Sequence, residues 1–320
     1  MVDIFDNMRF WGTNRSPLLQ RLRIYGMLNR ITDLVANVLI PIYFRLTADN
    51  PKYSLISNTK EVDSKEITTR NGPRIIVSLT SYPLRIKSVW KVIECILRQG
   101  IKPDKIVLYL TKSQVMSVEK LPKSLLAQRN RGLEIRLCPD EIRSHTKYFY
   151  AMQAFPDDLV ITVDDDLFYR TDLIENLLQW HHEYPKAIIT NWVKKILPTT
   201  HFYKEWPDVH IPSVSNQFLL LGVNGVLYPP HCMYKDIFNI SMIQDLCLTA
   251  DDIWLSSMAL LNQTPVCFTG YKFNHLPIMI RNNQTLLSVN RERNQICVDN
   301  INKYYSEKVG ISPFINLLAE

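Results

Sequence analysis

No apolar run in this 320-residue chain approaches the ~20 residues that a transmembrane helix needs. No G-x-G-x-x-G opens a helix and there is no Walker loop, which excludes a dinucleotide fingerprint and a P-loop. The six cysteines (Cys95, Cys138, Cys232, Cys247, Cys267, Cys297) form no C-x-x-C and no paired-histidine spacing. A zinc ribbon and a disulfide frame are therefore not expected, and the thiols read as buried and reduced, as in a cytosolic protein. No basic segment followed by an apolar stretch and a small-residue cleavage site opens the chain, so it does not begin as a secretory signal does. Internal repeats, low-complexity segments and the D-x-D-x-D-G spacing of an EF-hand are also absent. The balance of 37 basic against 31 acidic residues, a formal charge of +6, suits nucleotides, polyanions or lipid head groups without choosing among them. No nucleic-acid motif accompanies it, so nucleic acid is not an expected partner.

What is present is a regular alternation. Hydrophobic content of 46% and charged content of 21% are those of a folded globular chain, long enough for one large α/β domain with an appendage. After Gly72, four strand-like runs follow one another: Arg74 to Thr80, Lys105 to Leu110, Leu133 to Leu137 and Leu159 to Val163. Helical segments lie between them: a stripe from Ile86 to Leu97, a stretch from Leu121 to Gln128, and another from Lys147 to Phe155. This order predicts a mainly parallel sheet covered on both faces, with ligands bound beyond the carboxyl ends of the strands. At the end of the fourth run stand Asp164, Asp165 and Asp166. Three adjacent carboxylates repel one another, and Mg²⁺ or Mn²⁺ would relieve that cost while leaving positions open for phosphate oxygens. Continued strand alternation would point Asp164 and Asp166 one way and Asp165 the other.

The first seventy residues differ. Between Arg9 and Ala48 there are six arginines (Arg9, Arg15, Arg21, Arg23, Arg30, Arg45) and one acid, Asp33. Leu28, Ile31, Val35 and Val38 fall at helical spacing, and Pro41 is expected to break the apolar stretch from Val38 to Phe44. Such a helix either docks on the main domain or lies on an anionic membrane surface. Polar residues from Asn50 to Gly72 read as a linker. The expected division is an extension and linker over 1–70 and a main domain over 71–320, with a ligand half at 71–170 and a second half at 171–320.

The segments VSLTSYPLRI, KPDKIVLYLT, PDDLVITVDDDLFY, GVNGVLYPP and ADDIWLSSMALL, in that order, resemble bacterial GT-A glycosyltransferases related to glycosyltransferase family 2, which build capsules, lipopolysaccharide and similar surface glycans. The resemblance covers about Arg74 to Tyr305 and implies a Rossmann-like nucleotide-sugar half, an acceptor half and a metal held by the D-x-D. Asn224 departs from it, standing where many relatives have glycine. The resemblance implies that Asp166 coordinates Mn²⁺ or Mg²⁺, with Asp164 on the metal or the ribose and Asp165 beside them. Thr80, Ser81, Tyr82 and Arg85 would meet the nucleotide of a UDP-linked donor, although Arg85 equally reads as a solvated residue. Lys147 holds the family's nucleotide-contact position, where a surface lysine is the ordinary alternative. His275 is a possible third metal ligand or a structural histidine. In the second acidic pair, Asp252 is the expected general base of an inverting hexosyl transfer, with Asp251 second to it or serving as a helix cap. Trp206 either stacks on an acceptor sugar or packs in the core. The implied partners are a glycan acceptor, free or lipid-linked, and the inner face of the cell membrane.

Other classes fit less well. A phosphoribosyltransferase-like site needs a small-residue loop after its acids, where this chain has Leu167, Phe168 and Tyr169. A haloacid-dehalogenase-type phosphatase carries its acids at the first strand. A processive synthase would have membrane helices and a Q-x-x-R-W segment. The non-enzyme alternative is a nucleotide-sugar-binding or scaffold subunit of a glycan assembly complex.

Overall fold

The four strand-like runs become four neighbouring parallel strands: β1 (Ile75–Thr80), β2 (Lys105–Thr111), β3 (Leu133–Cys138) and β4 (Leu159–Thr162). The computed structural model describes residues 1–10, 24–56, 72–197, 199–200, 202–280 and 287–315. Arg15, Arg21, Arg23 and most of the expected linker lie outside these described residues. The helices are α1 (Val2–Met8), α2 (Ile24–Leu46), α3 (Trp90–Leu97), α4 (Lys123–Leu126), α5 (Thr146–Ala154), α6 (Leu173–Glu183), α7 (Ile240–Leu246), α8 (Asp251–Leu261) and α9 (Leu287–Val309). Short strands complete the second half: β5 (Ile188–Thr190), β6 (Val193–Lys195), β7 (Ser213–Ser215), β8 (Phe218–Leu220), β9 (Val226–Tyr228) and β10 (Val266–Phe268).

The main sheet runs β3-β2-β1-β4-β9-β5-β10-β7, with β9 antiparallel to both its neighbours and β7 antiparallel at the edge. Strands β6 and β8 pair separately. Side-chain alternation divides the core. Ile75, Val77 and Leu79 of β1 join Ile106 and Leu108 of β2 under α3 and α6, while Ile76, Val107 and Val160 face Ala151 of α5. The fold is therefore the α/β class expected, with helices on both faces and an N-terminal helical extension.

Two expectations change. Pro41 does not break its helix: α2 is continuous from Ile24 to Leu46 with Pro41 buried inside it. An internal proline costs about 3 kcal/mol. Ala36, Ile40 and Phe44 on the same face are buried in the sheet core, and full burial of one such side chain as large as Ile40 or Phe44 contributes roughly 1.5–3 kcal/mol. Strand β4 also ends sooner than expected, at Thr162, so the three acids lie in the bend after it.

The extension shares its core with the sheet, and one carboxylate ties it down. Buried Glu94 in α3 accepts from the guanidinium groups of Arg98 and Arg131, and from Gln128 Nε2 at 3.0 Å. Arg98 in turn donates to Thr47 Oγ1 at 2.8 Å and to the Phe44 carbonyl at 3.2 Å, while Arg131 donates to the Tyr53 carbonyl at 2.8 Å. Glu94→Gln leaves two largely buried guanidinium groups without a counter-charge, and should cost about 3–5 kcal/mol in urea unfolding. A loss below about 1 kcal/mol would show that water, rather than Glu94, balances the two arginines.

Candidate functional site

The chain leaves β1 outward to β2 and β3, then returns to β4 on the other side of β1. The order reverses there, so a crevice opens beyond the carboxyl ends of β1 and β4. A cleft of about 510 Å³ occupies that place. Thr80, Ser81, Tyr82 and Arg85 line it from the β1 side, Asp164 and Asp165 from the β4 side, and Lys147, Arg143 and Ser144 from the start of α5.

The acids do not continue the strand alternation, because β4 has already ended. Asp165 is buried and accepts from Ser81 Oγ at 2.6 Å and Arg85 Nη1 at 2.7 Å. The same Arg85 nitrogen lies 3.0 Å from Asp166 Oδ2, so Asp165 and Asp166 share one cation. Asp164 turns instead to Lys147 Nζ, at 2.8 Å, and its backbone N–H donates to the Tyr169 hydroxyl. Burial, with Asp164 beside it, pushes Asp166 up to about 6 despite Arg85. Burial also raises Asp165. Arg85 is the opposite case: burial works against its charge, but Asp165 and Asp166 outweigh burial and raise it. The solvated reading of Arg85 is thereby set aside, since its side chain is only 16% exposed.

Lys147 is not a surface lysine. Ser78, a small residue on the α5 face of β1, donates its hydroxyl to the Lys147 carbonyl and holds the start of α5 against the sheet. The side chain is buried, with Nζ 2.8 Å from Asp164 Oδ1 and 3.1 Å from Asp251 Oδ2. Burial opposes its charge, yet Asp164, Asp251 and Asp252 hold its pKa well above the ordinary value. Asp251 and Asp252 form the first turn of α8, whose N-cap position is Ala250, so neither acid is the N-cap residue. Asp252 Oδ1 accepts the Gly222 N–H at 2.9 Å. A Cβ on residue 222 would stand 2.9 Å from that oxygen and 3.4 Å from Lys147 Nζ, so any larger residue would have to displace the Asp252 carboxylate. Burial and then Asp251 push Asp252 up to about 8, whereas Lys147 and His145 outweigh burial and lower Asp251.

The other expected residues are more dispersed. Thr80 Oγ1 donates to the Tyr109 carbonyl at 2.9 Å, and Tyr82 is exposed beneath Arg85. His275 packs against the rings of Trp192 and Phe273, its pKa lowered to about 4 by burial and then Arg9. The structure does not bring it to Asp164 and Asp166 as a third ligand: among the described residues no group of three His, Cys, Asp or Glu is placed to hold a metal. Trp206 is a core residue, 1% exposed, packed on Tyr203 and Phe314. Asn224 has φ +68°, a left-handed conformation that glycine adopts freely and asparagine tolerates, which reconciles it with the pattern it departs from. All six cysteines are buried and unpaired.

Asp164 and Asp166 suit a hard divalent cation. Asp164 Oδ2 and Asp166 Oδ1 have no partner among the described residues, and both side chains are partly exposed, which leaves carboxylate oxygens open to such a cation. Sequence reasoning missed Arg143 and Gly222. Arg143 is an exposed guanidinium at the cleft with φ +52° and no ion pair among the described residues. Its only sequence signal is its place four residues before Lys147.

These shifts fix a pH dependence. Between about pH 4 and 6.5, His145 and His275, both lowered to about 4, oppose the raised carboxylates. Above that range Asp252 still holds its proton in the folded chain and has lost it in the unfolded one. Stability of the metal-free protein should therefore fall from about pH 6.5 to 7.5, by at most about 1.4 kcal/mol per pH unit, before Lys102, lowered to about 8 by burial, offsets the slope. Asp252→Asn should flatten the fall, as read by chemical denaturation at each pH. Equal slopes in the two proteins would show that Asp252 is ionised throughout.

No family model matches the sequence, and no curated protein matches it. Among solved structures the chain is similar to mannosyltransferase PcManGT from Pyrobaculum calidifontis in complex with GDP-Man and Mn²⁺, at 13% identity over 90% of this chain and 78% of that one, with a TM-score of 0.46. It is also similar to S. aureus TarS 1–349, at 12% identity over 73% and 72% of the two chains and a TM-score of 0.43. CMP:2-keto-3-deoxy-manno-octonic acid synthetase complexed with CTP shows 15% identity over 69% and 97%, with a TM-score of 0.39.

Proposed function

We propose that the chain is a metal-dependent glycosyltransferase of GT-A fold that moves one hexosyl unit from a UDP-linked donor to a glycan acceptor, with inversion, in the assembly of a surface polysaccharide such as capsule or lipopolysaccharide. The acceptor in this reading is lipid-linked and met at the inner face of the cell membrane. One observation carries the proposal: a single buried ammonium, Lys147, joins the D-x-D acid Asp164 to the second acidic pair at the sheet's switch point. A nucleotide-binding role alone would not require the second pair there.

In this reading Asp164 and Asp166 would hold Mn²⁺ or Mg²⁺, which would supply neutralising charge to the diphosphate. Ser81, Tyr82 and Arg85 form the nucleotide side of the cleft, and Arg143 adds a cation facing it. The acceptor hydroxyl attacks the anomeric carbon as the bond from that carbon to the diphosphate oxygen breaks. The electron pair leaves with the diphosphate, and the hydroxyl proton passes to Asp252. A carboxylate raised to about 8 is a stronger base than an ordinary aspartate once ionised. Asp251, kept ionised by Lys147, positions that ammonium rather than taking the proton.

Asp166→Asn should abolish Mn²⁺-dependent binding of UDP and of UDP-sugars in titration calorimetry, with thermal stability preserved. Mn²⁺-dependent affinity equal to wild type would remove Asp166 from the metal site. Asp252→Asn should slow transfer by roughly 10²–10⁴-fold while leaving donor binding intact. A near wild-type rate, or a product that keeps the donor's anomeric configuration, would overturn the inverting mechanism. Donor binding with neither hydrolysis nor transfer would identify a nucleotide-sugar-binding subunit instead.

A further inference from the structure

Helix α2 buries one apolar face and exposes another. Its inner face, Ala36, Ile40 and Phe44, is in the core. Between Arg30 and Arg45 its exposed residues are Ile31, Leu34, Val35, Val38, Leu39 and Ile42, each 41–58% exposed, and no polar residue interrupts them. The stripe spans three turns, about 18 Å, and an exposed arginine stands at each end. The helix has one acid, Asp33, and Arg9 Nε neutralises it at 2.7 Å.

An uninterrupted apolar stripe of this kind marks an interaction surface. A second copy of the chain is a poor occupant. In a two-fold antiparallel pairing of α2, Arg30 would meet the other copy's Arg45; in a parallel one each arginine would meet itself. No exposed acid on the helix relieves either contact. The flanking cations complement an anionic head-group layer, and the stripe complements the acyl region beneath it. The helix does not cross a bilayer: no described helix is long and apolar enough.

We propose that the outer face of α2 seats the protein on an anionic lipid surface, with the helix lying in the plane of the interface. This deepens the membrane placement given above by naming the surface. It requires no sugar transfer, so lipid binding and donor binding succeed or fail separately. The docked helix is tied to the catalytic loop through one segment. Asn37 Nδ2 donates to the Pro277 carbonyl at 2.8 Å, Asn37 Oδ1 accepts from Met279 N at 2.9 Å, and Ile278 N donates to the Asp166 carbonyl at 2.7 Å.

The test is co-sedimentation of the full chain with phosphatidylglycerol–phosphatidylcholine vesicles and with phosphatidylcholine alone. Wild type should bind the anionic vesicles, and more weakly as salt rises. A triple variant, Ile31→Ser with Val35→Ser and Val38→Ser, changes only exposed side chains and should bind roughly tenfold more weakly or worse. Arg30→Glu should weaken binding severalfold, and UDP binding should stay at the wild-type level in both variants. Failure of wild type to bind, or equal binding by the triple variant, overturns the proposal. Analytical ultracentrifugation supplies the remaining outcome: a wild-type dimer that the triple variant converts to monomer would make a second copy the occupant and overturn the lipid assignment.

Discussion

The ammonium of Lys147 sits between carboxylates that come from two distant parts of the chain, Asp164 after β4 and the pair opening α8, and the geometry around it follows from balancing that charge. An isolated charge withdrawn from water costs several kcal/mol even after relaxation. Asp164 and Asp251 offset this cost together, each within 3.1 Å of the nitrogen. They can do so because Ser78 holds the backbone of Lys147 against β1, and because Gly222 leaves room for Asp252 beside the ammonium. The same charge separates two neighbours of identical chemistry. Asp251 contacts Lys147 and is lowered despite burial, while burial and then the field of Asp251 raise Asp252 to about 8 against the Gly222 N–H and Lys147. In the proposed mechanism two adjacent acids pushed apart in this way take different uses, one as a fixed charge and one as a proton acceptor.

Three adjacent carboxylates suggest a bound cation when only their sequence is considered. In the structure protein cations take up part of that charge. Arg85 and Ser81 satisfy Asp165 completely enough for it to be buried, which makes it a structural anchor. Arg85 reaches only one oxygen of Asp166, and Lys147 only one of Asp164. The two outer acids therefore keep unused oxygens, although the strand that was expected to set their directions has ended.

Most of the sheet was legible because its signals are local. Runs such as Ile75 to Val77 and Ile106 to Leu110 are continuous and apolar, as strands buried on both faces must be. Binding beyond the carboxyl ends followed from the alternation and placed SLTSY and VDDD at the same edge, whereas the switch point between β1 and β4 came only with the strand order. The short strands β5 to β10 were not legible: three residues carry too little pattern, and their pairing is set by distant partners such as Leu227 with Ile161 and Ile189. Lys147 and Arg143 show why site residues resist sequence reading. Nothing local separates a buried lysine from a surface one, since its burial is decided by Asp164, 17 residues away, and by Asp251, far beyond. Pro41 failed as a breaker for a related reason, because packing on one side of α2 outweighs a single lost backbone hydrogen bond.

Helix α2 also shows how far amphipathic spacing determines a role. Leu28, Ile31, Val35 and Val38 gave the helical period, and that period by itself fits a helix docked on a domain. In the structure these residues are on the exposed side, while docking uses Thr32, Ala36, Ile40 and Phe44. A helix apolar on both sides has more apolar surface than docking consumes, and water does not stabilise the remainder. The one acid is paired with Arg9 and two arginines are exposed at the ends, so the excess is apolar and cationic together. That combination distinguishes the face from a core surface, which would carry no charge at its rim, and from a self-pairing helix, which would carry both signs.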